Sequence, residues 1–179
     1  MRRDTGGQAP ARFDALELAE TGGTITGVVD PTGLSRLADR LAPPDRASRA
    51  QIAWRITGGR DSLGRAMLTL SLDGTVLVVC QRCLRPFAVP VEQETMLLLA
   101  RDEAELRVLD AAEPEVILAK APVDPVALVE DELLLSLPFS PRHNEAECGS
   151  AGAAHAGPEA AQTPFAALAR LKAGQGSSN

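Results

Sequence analysis

The sequence predicts an α+β fold, with a mainly antiparallel sheet or barrel-like layer and two or three helices. Short apolar runs, several with two-residue alternation, recur between residues 24 and 100, as expected for β-strands. Two Asp-Pro pairs, Asp30-Pro31 and Asp124-Pro125, are typical helix starts because Asp caps the first turn and Pro tolerates its first position. The pair Asp73-Gly74 is a signal for a tight hairpin turn.

The strand predictions follow from β-branched and apolar runs bounded by Gly, Pro and Asp. In the run at 66–72, the even-numbered residues are apolar and would face one way, while the odd-numbered ones face the other way. We expect a turn at Gly22-Gly23, a hairpin at Asp73-Gly74 and an acidic loop over 101–114. The predicted strands are 15–18, 24–29, 50–57, 66–72, 75–79, one or two within 86–100, and 115–118.

Two helices are predicted after the Asp-Pro pairs. The first carries apolar residues at helical spacing and stops at Pro43-Pro44; these are Leu34, Leu37, Ala38 and Leu41. The second has the strongest apolar stripe in the chain and ends at Pro138; its members are Val126, Val129, Leu133, Leu134 and Leu137.

The domain organisation is predicted from shifts in composition. Residues 1–12 read as a loose tail, and residues 13–148 as a single α+β domain. Residues 149–163 are rich in Ala and Gly, which is typical of a flexible linker. Residues 164–179 would form a short helix, over 164–172, and a tail.

The charge distribution is uneven. The net charge is −6, and residues 92–147 carry 14 acidic and 4 basic side chains. An acidic segment repels phosphate but suits a basic partner protein, and it also suits a plain solvated face. Aromatic residues make up only 3% of the chain. We therefore expect most of them to serve packing rather than base stacking.

The sequence shows no secretory signal and no apolar run long enough to span a bilayer, so we expect a cytoplasmic protein without membrane contact. In that compartment its three cysteines stay reduced. A Cys-x-x-Cys pair there favours metal binding or redox chemistry over a structural disulfide.

The residues Cys80-Gln81-Arg82-Cys83 form such a pair. Their spacing lets two thiolates reach one tetrahedral ion, and His143 with Cys148 would complete a closed Cys₃His zinc site. Two alternatives are a cysteine cluster without metal and a redox pair. The redox reading lacks the strand–CxxC–helix pattern of a thioredoxin fold.

Three arginines flank these candidate ligands, namely Arg82, Arg85 and Arg142. If the two ligand pairs meet, the guanidinium groups would form a positive patch able to bind phosphate. The alternative is that they are ordinary exposed arginines that offset thiolate charge.

Three consecutive acids, Glu130, Asp131 and Glu132, lie in the strongest predicted helix. They could bind a partner or hold a metal for hydrolysis. They could also stabilise the start of the helix, because negative charge there interacts favourably with the helix dipole. No nucleophile or phosphate-binding loop accompanies them, which favours the structural role. No small-molecule site is evident.

Three blocks resemble the bacterial YceD family, also called large ribosomal RNA subunit accumulation proteins. They are VVCQRCLRPF at 78–87, VEDELLLSLPFSPRHNEAEC at 129–148 and TPFAALARLKAG at 163–174. The resemblance extends from about Leu16 to Lys172, and the Ala/Gly stretch before Pro164 departs from it. The matching positions are Cys80, Arg82, Cys83, Pro86, Glu130, Asp131, Glu132, Leu137, Pro138, Pro141, His143 and Cys148.

This resemblance implies a non-catalytic ribosome-biogenesis factor that promotes synthesis, processing or stability of 23S ribosomal RNA. Its partner would be pre-ribosomal large-subunit RNA or a ribosomal protein. One alternative is an acidic adaptor for a basic ribosomal protein. A second is a metal-dependent hydrolase or nuclease.

Overall fold

The computed structural model describes residues 11–43, 50–111, 115–120 and 122–148. Within these residues the fold is α+β, as predicted: five strands form one sheet in the order β1-β2-β3-β4-β5. Strands β1 to β4 pair antiparallel with their neighbours, and β5 runs parallel to β4. The strands are β1 Thr24–Val29, β2 Gln51–Arg60, β3 Ala66–Val79, β4 Pro86–Ala100 and β5 Val116–Leu118.

The described helices are α1 Ala15–Thr21, α2 Glu103–Asp110, α3 Pro125–Ser136 and the single turn α4 Glu145–Cys148. The sheet and α1 to α3 belong to a compact unit that ends at Arg142. Its core is built from aliphatic side chains of β2, β3, β4 and α3, with Phe13 and Trp54 as the buried aromatic residues.

The predicted hairpin at Asp73-Gly74 is wrong. Strand β3 runs without interruption from Ala66 to Val79, and Asp73 pairs with Ala53 on one side and Glu92 on the other. The alternation of buried residues stays in phase across the Asp-Gly pair, from Leu72 to Val76. One continuous buried face therefore decides the local structure, and it overrides the turn preference of the pair.

Gly74 allows the backbones of β2 and β3 to approach closely and does not form a turn. A Cβ built there would lie 2.3 Å from the carbonyl oxygen of Gln51 and 2.9 Å from Cδ1 of Ile52. Glycine inside a strand often marks such an approach. Gly74 thus lets β2 and β3 pair tightly at the centre of the sheet.

The strand predicted at 15–18 is wrong, because these residues belong to helix α1. The Asp14 side chain accepts a hydrogen bond from the Glu17 N–H at 2.9 Å and caps the helix. The helix ends at Gly22, whose φ of 62° is the left-handed conformation common after helices. The cap pair Asp14 and Glu17 was the sequence signal for this helix.

The acidic loop predicted over 101–114 is also wrong in part, since residues 103–110 form α2. Asp102 caps it by accepting hydrogen bonds from the Ala104 and Glu105 N–H groups, each at 2.8 Å. These bonds hold the pKa of Asp102 below its ordinary value. Helix α2 joins the parallel strands β4 and β5 as a crossover.

The helix predicted after Asp30-Pro31 begins as expected but is shorter. Asp30 accepts from the Thr32 N–H at 2.9 Å, and two single-turn 3-10 helices follow, Pro31–Gly33 and Ser35–Leu37. Between them Leu34 has extended backbone. The chain then turns to β3, where the Ala42 N–H donates to the Leu77 carbonyl at 2.8 Å.

The remaining strong predictions are confirmed. Strand β1 has the predicted bounds, and β5 begins one residue later than predicted. Helix α3 is capped by Asp124, buries Val129 and Leu133 completely, and ends before Pro138. The helical stripe therefore fixes how α3 packs on the sheet.

Several predictions fall outside the described residues. They are most of the tail at 1–12, the linker at 149–163 and the helix at 164–172, and they stay predictions. In the part of the chain that the structure describes, no helix has both the length and the apolar character to cross a membrane.

Candidate metal centre

The Cys80–Cys83 pair lies in the connection between β3 and β4, directly after the last strand pair Val79 with Pro86. The Cys80 N–H donates to the Arg85 carbonyl at 3.0 Å, and the Leu84 N–H donates to the Cys80 carbonyl at 2.9 Å. Leu84 completes the turn in left-handed conformation, with φ of 60°. A residue with a side chain pays about 1–2 kcal/mol for this conformation, so the surroundings must hold the turn.

The segment after α3 is anchored on this turn. The Gln81 N–H donates to the Pro141 carbonyl at 2.9 Å. His143 follows two residues later, and two residues span at most about 7 Å. The bond at Pro141 therefore restricts where His143 can lie.

The short turn α4 begins two residues after His143 and ends at Cys148. The Glu147 and Cys148 N–H groups donate to the Asn144 carbonyl at 3.1 and 3.0 Å. This turn fixes the spacing between His143 and Cys148. It gives the His-x₄-Cys pair a defined local geometry.

The structure brings together all four predicted metal ligands. Cys80, Cys83, His143 and Cys148 each offer one ligand atom, and these atoms lie within 4.8 Å of one another. Cys80 and Cys148 are buried, whereas Cys83 and His143 are half-buried. The three cysteines form no disulfide. We call these four residues the Cys₃His cluster.

The donor set fits zinc. In a tetrahedral site with Zn–S bonds of about 2.3 Å, neighbouring sulfur atoms lie about 3.8 Å apart. The ligand atoms of the cluster are at most 4.8 Å apart, so they would have to move closer by at most about 1 Å to bind zinc. Three thiolates and one imidazole are all suitable ligands. Four protein ligands fill a tetrahedral shell, so such an ion would be structural and would keep no position for substrate.

The three predicted arginines lie around this turn. Arg82 follows Gln81 and Arg142 follows Pro141, so the hydrogen bond between those backbones brings both arginines near each other. Arg85 ends the same turn through its carbonyl. All three side chains are exposed.

Sequence reasoning missed Phe139 and Arg40. Phe139 is 90% exposed, contrary to the expectation that the aromatic residues mostly pack, and the Arg40 guanidinium lies 5.7 Å from the centre of its ring. Phe13 and Trp54 are buried as expected. The position of Phe139 directly after Pro138, outside the helical stripe, was the available signal.

The three predicted acids make different contacts. Glu130 binds the backbone N–H and the Nε of Arg36, at 2.7 and 3.1 Å, and Asp131 binds the Nη1 of the same arginine. These hydrogen bonds, first from Asp131 and then from Glu130, raise the pKa of Arg36. The two acids thus tie α3 to the second 3-10 helix.

Glu132 is buried, 6% exposed, and accepts a hydrogen bond from the Thr95 hydroxyl of β4 at 2.7 Å. Each of the three acids therefore has a structural partner. These contacts support the structural interpretation of the acidic run over a hydrolytic site.

A cleft of about 200 Å³ lies beside α3. Its lining combines aliphatic residues, among them Leu70 and Ile117, with four acidic residues: Asp110, Glu115, Asp131 and Glu132. The sequence predicted an acidic segment here but not a cleft.

Fold and cluster together define a class: a small α+β protein in which three cysteines and one histidine offer ligand atoms within 4.8 Å of one another. Residues 68–172 match the family model described as "Large ribosomal RNA subunit accumulation protein YceD", which covers 105 of the 179 residues. The chain belongs to the YceD family. The match begins at residue 68, later than the predicted Leu16. No solved structure matches the chain.

Proposed function

We propose that this protein is a non-catalytic accessory factor that promotes synthesis, processing or stability of 23S ribosomal RNA in the cytoplasm. The observation that carries the proposal is the family match over residues 68–172, whose description names accumulation of the large ribosomal RNA subunit. The matched range includes both ligand pairs, so the cluster belongs to the part of the chain that defines the family.

Zinc bound to the Cys₃His cluster would hold the segment at Pro141–Cys148 on the CQRC turn. The donor set and the 4.8 Å limit support this, and so does the backbone bond from Gln81 to Pro141. A structural metal stabilises the folded state through the free energy of binding. Its role would be to shape the arginine-rich surface around the turn.

Metal analysis of purified protein tests the zinc proposal. We expect about one zinc per chain. His143→Ala should lose the metal, while His155→Ala, which changes the other histidine of the chain, should retain it. A fully folded wild-type protein without metal would contradict the proposal.

The ribosomal role is tested in cells that lack the protein. We expect the ratio of 23S to 16S ribosomal RNA to fall, and the wild-type chain to restore it. Cys83→Ser should restore it less well, and His155→Ala should restore it fully. An unchanged ratio in cells without the protein would refute the role.

The acidic cleft favours a second candidate, an adaptor for a basic ribosomal protein. Asp110 and Glu115 line this cleft together with aliphatic side chains, which suits a Lys or Arg side chain because its stem is apolar and its head is charged. Co-sedimentation with pre-ribosomal particles that survives ribonuclease and weakens in Asp110→Asn/Glu115→Gln would support it. Loss of co-sedimentation after ribonuclease would favour direct RNA contact instead.

A further inference from the structure

We propose that an exposed patch beside the CQRC turn binds single-stranded RNA, with one unpaired base stacked on Phe139. The patch consists of Arg40, Arg82, Arg85, Phe139 and Arg142, and we call it the Arg–Phe patch. This inference rests on the proposed function and adds the contact surface and the form of the RNA.

Contacts between three segments place these residues near the turn that joins β3 and β4. Arg40 lies over the Phe139 ring, and both line a small cavity of about 50 Å³ together with Gln81 and Pro141. The Gln81 N–H bond to Pro141 then brings in the neighbouring residues of the chain, Arg82 and Arg142. The patch is thus built from three separate segments that meet at the turn.

Phe139 contributes little to the core, because most of its ring remains in water. Burying a phenylalanine side chain is worth about 1.5–3 kcal/mol, so exposing one forgoes a large stabilising contribution. The ring is held by Arg40 at 5.7 Å, in a cation–π arrangement. A positioned, exposed ring with a cation beside it is the arrangement that stacks a base near its phosphate.

The charge of the patch is opposite to that of the protein. Its four arginines lie on a chain of net charge −6, and Asp39 is the acid that lines the same small cavity. Within the described ranges neither Arg40 nor Arg142 forms a salt bridge, whereas Arg36 and Arg65 do. An acidic protein repels RNA over most of its surface, so binding would be confined to this patch.

The ring favours single strands over duplexes. Bases in a duplex are already stacked on each other, and their faces are hidden, whereas unpaired bases can stack on an aromatic side chain. Arginine contacts to phosphate would add affinity without reading sequence. The patch therefore fits an unpaired loop or end of an RNA, with little sequence preference.

Fluorescence anisotropy with the full chain and a labelled RNA of about 12 nucleotides, unstructured or paired as a duplex, tests the proposal. We expect the unstructured RNA to bind more tightly than the duplex. Phe139→Ala should weaken its binding by roughly 5- to 150-fold, and Phe139→Trp should retain it. Leu135→Ala, which removes an exposed apolar side chain of α3 outside the patch, should have no effect.

The contribution of the arginines is tested separately, through the salt dependence of RNA binding. Arg82→Gln/Arg142→Gln should reduce the slope of log affinity against log salt by about 1.4, since each phosphate contact contributes about 0.7 on a single strand. Arg55→Gln, an exposed arginine of β2 outside the patch, should leave the slope unchanged. Zinc content and melting temperature measured for every variant separate a lost contact from a lost fold.

Equal affinity for duplex and single strand, or an unchanged affinity of Phe139→Ala, would overturn the proposal. If Phe139→Ala leaves the RNA affinity unchanged but abolishes co-sedimentation with a partner that resists ribonuclease, the patch binds a protein. That result would also overturn the proposal. The proposed function fails by a different result, an unaltered 23S to 16S ratio in cells lacking the protein.

Discussion

The two halves of the β3–β4 hairpin are held in different ways. Residues 67–72 of β3 pair with β2 on one side and β4 on the other, and their inward side chains lie in the core. Val76–Val79 pair with β4, while their other side meets an isolated bridge from Leu41. This outer half leads directly to Cys80 and the Arg–Phe patch.

Both halves bury apolar side chains, with Val76 and Val78 buried in the outer half, but only the outer half continues into the CQRC turn. The inner half depends on apolar burial, which requires no metal. The outer half leads to the Cys₃His cluster and to arginines, so its stability would depend on metal if the cluster binds zinc as proposed, and on salt. Substitutions in the two halves should therefore fail in different assays.

The largest expected effect is in the inner half. Leu68 is fully buried, and Leu68→Ala should lower the free energy of unfolding by about 2–5 kcal/mol, because it leaves a cavity. Zinc per folded chain should stay the same. Urea unfolding measures this, with Met96→Ala, on the exposed face of β4 at 66% exposure, as control. A large effect of Met96→Ala would contradict the assignment of the two sheet faces.

Gly74 lies where the two halves join. Gly74→Ala places a methyl group 2.3 Å from the Gln51 carbonyl oxygen, so the strands must separate, and we expect a loss of about 1–3 kcal/mol. Gly59→Ala, in β2 with nothing within 4 Å of the added carbon, should change stability by less than about 0.5 kcal/mol. Equal effects at both sites would refute the close approach.

The outer half should respond to removal of metal. A chelator should accelerate amide hydrogen exchange at Gln81 and Leu84, whose N–H bonds hold the turn, because local opening becomes easier. Exchange at Ile56 and Leu70 should change less. Uniform acceleration across the sheet would show that the halves are not separable.

The smallest expected effect is at Asp102, which caps α2 two residues after the end of β4. The N–H bonds from Glu105 and Ala104 lower the pKa of Asp102 below its ordinary value of 3.8, so its charge stabilises the fold above that pH. This contribution is lost as the pH falls through the lowered value. Asp102→Asn keeps the acceptor but does not titrate, so the difference in urea midpoint from wild type should shrink below about pH 4.

Local signals account for the elements that the sequence predicted correctly. Asp124-Pro125 and the stripe through Leu133 identify α3, and the β-branched run identifies β1. The wrong predictions arose where one signal was given too much weight. Asp73-Gly74 indicated a turn, although the in-phase apolar positions on either side of it already favoured one long strand.

The candidate site was also predictable only in part. The sequence suggested that Cys80, Cys83, His143 and Cys148 lie together, and their ligand atoms do lie within 4.8 Å of one another; that they bind metal stays a prediction. Their meeting depends on the Gln81 bond to Pro141, which joins segments about 60 residues apart and has no sequence pattern. The exposure of Phe139 is equally a result of packing, since it depends on how α3 ends against the sheet.

The position of the CQRC turn inside a hairpin has a consequence for the order of events during synthesis. The β3–β4 hairpin pairs residues close in sequence, so Cys80 and Cys83 can be placed as soon as residue 100 has left the ribosome. His143 and Cys148 emerge later. If the cluster binds zinc as proposed, it can close only after nearly the whole domain has been translated, and metal capture then follows the emergence of strands β1 to β5 from the ribosome.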